Sequence, residues 1–105
     1  MNTSNSIEEN KLSAELRAVL HIFRHDKELQ TKALPFVDIK HQSINWSRIW
    51  DNDFTGTHAA AVIWAQAIWC DQIQTQSDPF DRAFALSPEL QRTVLRSLAI
   101  RWGVA

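Results

Sequence analysis

The stretch Ala59-Ala60-Ala61-Val62-Ile63-Trp64-Ala65-Gln66-Ala67-Ile68-Trp69-Cys70 decides the fold, because Gln66 is its only polar residue. A helix that is apolar on every side is a buried helix. The spacing predicts a helix from His58 to about Gln74 that serves as a central post. Its alanines let neighbouring helices approach closely, while Trp64 and Trp69 project to different sides. The apolar run falls far short of the roughly twenty residues that span a bilayer, so no membrane association is expected.

Just before the post, Asp51-Asn52-Asp53-Phe54-Thr55-Gly56-Thr57 reads as a turn in which Thr55 or Thr57 caps the post. Asp51, Asp53, Thr55, Gly56 and Thr57 fit the first half of a calcium loop, but the position of the clamping carboxylate is filled by Val62. The Asp and Gly residues are therefore expected to shape the turn and no metal is expected. A short helix is predicted from Asn45 or Trp46 to Trp50, capped by Ser43 or Asn45, with Ile49 and Trp50 facing inward. Phe36-Val37-Asp38-Ile39 reads as an extended connector or one short strand, which alone makes no sheet.

The chain before Pro35 reads as one long helix. Ser6 and Glu9 have the form of a capping box, and Leu12, Leu16, Val19, Leu20 and Phe23 share one arc. Ile7, Ala14, Ala18, Ile22 and Leu29 form a second stripe away from the first. After the post, Ser77-Asp78-Pro79 and Ser87-Pro88-Glu89 are both helix starts, with Pro at the first helical position. The last helix is predicted over Pro88 to Trp102, with Leu90, Val94, Leu95, Leu98, Ala99 and Trp102 apolar, and Gly103 stops it.

These segments predict an all-α, single compact domain of four or five helices packed around a buried central helix. Residues 1–5 are expected to be a disordered tail, and 6–105 one helical domain. The expected core includes Leu16, Leu20, Phe23, Ile63, Ala67, Ile68, Val94 and Leu98.

Composition narrows function by exclusion. A formal net charge of -1 offers no global attraction for nucleic acid or an anionic membrane. The single cysteine, Cys70, precludes an internal disulfide framework, and the polar start Met1-Asn2-Thr3-Ser4-Asn5-Ser6 lacks the features of a signal peptide, so a cytoplasmic location is expected. With Gly only at positions 56 and 103, a phosphate-cradling loop has almost nothing to be built from. His21 and His25, four apart, have zinc-ligand spacing but no further ligands nearby, and read as surface residues. Cys70 shows neither a base nor any cause of a lowered pKa and reads as a small core residue. No catalysis, cofactor or small-molecule substrate is expected.

Two binding readings remain. The excess of large aromatics, five Trp and five Phe among 105 residues, suggests that some reach the surface, where Trp is enriched at interface hot spots. Trp46, Trp50, Ile22 and Leu29 are the candidates, which points to a small interaction or regulatory module with a protein partner or self-association as a homodimer. The alternative is a DNA-binding regulator, with the last helix entering the major groove and presenting Gln91, Arg92 and Arg96.

Overall fold

The computed structural model describes residues 11–70 and 78–105. The hydroxyl of Ser13 accepts the Leu16 N–H at 3.1 Å and so caps the first helix, α1, over Ala14–Arg24. Leu12 therefore precedes the helix instead of belonging to it. The helix also stops earlier than its apolar pattern suggests. Asp26 accepts the Leu29 N–H at 3.1 Å and caps a separate short helix, α2, over Lys27–Lys32. The Ser6–Glu9 capping box and the tail at 1–5 lie outside the described residues.

A 3-10 turn over Leu34–Phe36 leads into β1, Val37–Asp38, which pairs antiparallel with β2, Ser43–Ile44. Val37 faces Ile44, and Asp38 faces Ser43. The expected lone strand thus has a partner. Asp38 makes the turn between the strands, accepting from the His41 N–H at 3.1 Å while its other oxygen meets the His41 ring at 2.8 Å. The hairpin packs Val37, Ile39 and Ile44 over Leu12, Leu16 and Leu20, the outer side of α1. Two residues per strand leave the fold all-α.

Asn45 caps α3, Trp46–Trp50, by accepting the Arg48 N–H at 3.2 Å. The post, α4, covers Gly56–Cys70 and begins two residues before the expected His58. Ala60 through Ala65 and Ile68 are buried, as expected of a helix apolar all round. Its predicted continuation to Gln74 lies outside the described residues. Asp78 caps a 3-10 segment over Pro79–Ala85, and Ser87 caps the last helix, α5, Pro88–Trp102, by accepting the Leu90 N–H at 3.2 Å. Gly103, at φ 74°, closes α5 in the left-handed conformation, which glycine adopts at little cost.

The chain is a single all-α domain with five α-helices among the described residues. Its Cα radius of gyration is 13.1 Å, close to the ~13 Å of a compact chain of about 100 residues. α1 packs against both α4 and α5 and lies under the hairpin, so apolar residues of both its stripes, among the described residues, become core. Leu16, Leu20, Phe23, Ile63, Ile68 and Val94 are buried as predicted, whereas Ala67 and Leu98 are half-buried. The starts of α4 and α5 are tied together: Thr57, one of the two expected caps, instead uses its hydroxyl to accept the Ser87 N–H at 2.8 Å.

Candidate functional site

The four residues nominated for a contact surface lie at different depths. Ile22 and Leu29 are fully buried, because the second stripe of α1 is used inside the domain and Leu29 is the inward residue of α2. Trp46 is half-buried and stands edge-on to Phe23, with ring centroids 6.1 Å apart. Trp50 is also half-buried, edge-on to Phe54 at 6.0 Å, and its indole N–H donates to Gln66 Oε1 at 2.9 Å. The one polar residue between Ala59 and Cys70 thus serves Trp50, which the sequence turns inward on its short helix but also offers as a contact residue.

The exposed large apolar side chains lie elsewhere: Phe84 is 95% exposed, Val104 72%, Phe80 71%, Trp102 66% and Leu95 65%. Leu95, Ala99 and Trp102 follow one another at helical spacing on the outer side of α5, while Leu90, Val94 and Ser97 face the core. α5 therefore has two apolar stripes, one inside and one outside. Gln91, one turn before Leu95, donates from Nε2 to the Ala83 carbonyl at 3.3 Å, which holds the Pro79–Ala85 segment against this edge of the stripe. Phe84 is the next residue along. Phe80 stands edge-on to the buried Trp64, with centroids 4.9 Å apart.

Arg92 and Arg96 border the other edge of the stripe, both exposed. Neither has an ion-pair partner among the described residues. Arg96 stands close enough to His21 that its charge helps hold the His21 pKa below the ordinary value. Burial is the largest cause, followed by His25 and then Arg96. The His21 and His25 rings are 4.1 Å apart on α1. Arg101 is not part of the Arg92–Arg96 edge: it is half-buried, donates from Nε to the Ile68 carbonyl at 3.2 Å and lies 3.5 Å from Glu15.

Other polar clusters have internal duties. His58 lies 2.9 Å from Asp26 and 3.5 Å from Glu28, and its Nδ1 meets the Thr55 hydroxyl at 2.8 Å. The order hydroxyl, imidazole, carboxylate is that of a nucleophile relay, but the same Asp26 oxygen accepts the Leu29 N–H, and the cluster joins α2 to the start of α4. Lys32 reinforces this junction, reaching Glu28 at 3.4 Å and the Asp53 carbonyl at 2.6 Å. In the Asp51–Thr57 turn, Asp53 thus directs its carbonyl to a lysine, and among the described residues no group of three His, Cys, Asp or Glu is arranged to hold a metal. Burial pushes the Cys70 thiol up, away from the thiolate that a nucleophile requires.

No helix among the described residues is long and apolar enough to cross a membrane. Comparison with protein-family models, curated proteins and solved structures finds no match, so the outer face of α5 has to be judged on its own chemistry.

Proposed function

We propose that this chain is a small, non-catalytic protein-interaction or regulatory module whose contact face is the outer side of α5 with the adjoining Pro79–Ala85 segment. The observation that carries this reading is the exposure of Leu95 and Trp102 on one side of a helix whose other side is already packed, with exposed Phe84 in the segment that Gln91 ties to it. Exposed Trp and Phe beside Arg is the composition enriched at protein contacts and their hot spots. The raised Cys70 pKa and the structural use of the His58 cluster support a role without catalysis. A cytoplasmic location goes with the reading, on the single free cysteine.

The DNA-binding alternative draws on the exposure of Gln91, Arg92 and Arg96. The segment before α5 is a 3-10 turn of seven residues, and Leu95 and Trp102 occupy the middle of the exposed face. A recognition helix would present polar readers there, which is why we place protein first.

The test is the size of the native assembly. In extracts of the cells that make it, the wild-type chain is expected to elute well above its 12.1 kDa mass. Leu95→Ser combined with Trp102→Ser, at exposed sites where the fold tolerates change, is expected to elute as the isolated chain. A wild type that elutes alone, or a double variant that elutes with it, contradicts the proposal.

A further inference from the structure

The contact face is asymmetric in charge, and that asymmetry bears on the partner. Exposed Leu95 and Trp102 with half-buried Ala99 form an apolar stripe; along one edge run Arg92 and Arg96, four residues apart on the same face, and on the other Gln91 ties down Ala83, next to exposed Phe84. We infer, building on the proposed interaction role, that the face docks an acidic amphipathic helix of a partner protein. The partner's apolar residues cover the Leu95–Trp102 stripe, and its Glu or Asp residues line the Arg92–Arg96 edge.

Three observations favour this occupant. The apolar groups are arranged lengthwise at helical spacing, the arrangement that a second helix fills with residues at i, i+3, i+4 and i+7. The two arginines make no ion pair among the described residues, Glu89 one turn before Arg92 being the only carboxylate of this helix, while Arg101 on its inner side has Glu15. A second copy of this chain paired antiparallel is a poor complement. An antiparallel two-fold pairing through Leu95 sets the Arg92–Arg96 edge of one copy against the same edge of the other, and like charges oppose each other there.

The experiment titrates the full-length protein with two synthetic 18-residue helical peptides that share one leucine stripe, one flanked by Glu and the other by Lys. Binding is read by anisotropy of a labelled peptide. The Glu peptide is expected to bind saturably and about tenfold more tightly than the Lys peptide, the scale of two surface ion pairs. Arg92→Glu with Arg96→Glu should reverse that preference. Leu95→Ser with Trp102→Ser should abolish binding of both peptides, with the far-ultraviolet circular dichroism unchanged. No binding of the Glu peptide at millimolar concentration, or equal binding of the two peptides, overturns the inference. So does a preference for single-stranded dT20 or for anionic phosphatidylserine vesicles that depends on the same arginines, and so does concentration-dependent dimerisation lost on Leu95→Ser. The interaction reading itself stands or falls separately, on the native assembly size.

Discussion

The Ser97 hydroxyl donates to the Ala18 carbonyl oxygen at 2.7 Å, and both residues are fully buried. Two small side chains let the backbones of α1 and α5 close on each other, and the hydrogen bond satisfies the buried hydroxyl in the contact. Ser97→Ala should lower stability by about 1 kcal/mol through loss of that bond. Ser97→Leu should cost about 1–3 kcal/mol by forcing the helices apart. Urea denaturation of the two variants checks both, and the leucine variant is expected to be the worse.

The bond from the Trp50 indole to Gln66 explains why an otherwise apolar post carries a glutamine. Gln66→Leu leaves a half-buried indole N–H without its acceptor, and about 1 kcal/mol of stability should go with it. Adding Trp50→Phe should recover most of that loss, because the donor is then gone as well. A double-mutant cycle measures the coupling, and additive effects would contradict it.

The two glycines should respond in opposite directions to alanine. Gly103 has φ 74°, so Gly103→Ala is expected to cost about 1 kcal/mol even though a Cβ there meets nothing within 4 Å. Gly56 opens α4 without a positive φ and also with open space around a Cβ, so Gly56→Ala should stabilise by about 0.4–1 kcal/mol. Thermal melts of the two variants on either side of the wild type give the answer.

His21 should make stability fall on mild acidification. Its folded pKa lies below the ordinary 6.5, held there by burial, then by His25 and Arg96. Well above pH 6.5 the side chain is neutral in both states and contributes no pH dependence. As the pH falls below that value the unfolded chain takes up a proton that the folded chain resists, so stability drops. Urea midpoints between pH 8 and 5 should therefore decline more steeply for the wild type than for His21→Gln.

The fold was largely legible because its signals are local and strong. The all-round apolarity of Ala60–Ala65 marks the post, and the caps at Asn45, Asp78 and Ser87 mark helix starts that the structure keeps. The break after Arg24 was not legible, since Asp26 reads equally well as a surface residue of a longer helix until its carboxylate is seen capping Leu29. The site was less legible. A second apolar stripe on α1 and an aromatic pair in α3 suggest an outer surface only while the packing is unknown, and the domain uses both inside. The one available signal was in α5, where Leu95 and Trp102, seven residues apart, lie off the Leu90–Val94 stripe.

The proposed contact face is the outer side of α5 and not the Trp46–Trp50 region. Photocrosslinking from two exposed positions in living cells compares the two directly, with a benzophenone side chain placed at Leu95 or at Arg48. The account predicts a discrete protein adduct from position 95 and none from position 48. An adduct from position 48 alone, or from neither position, would contradict it.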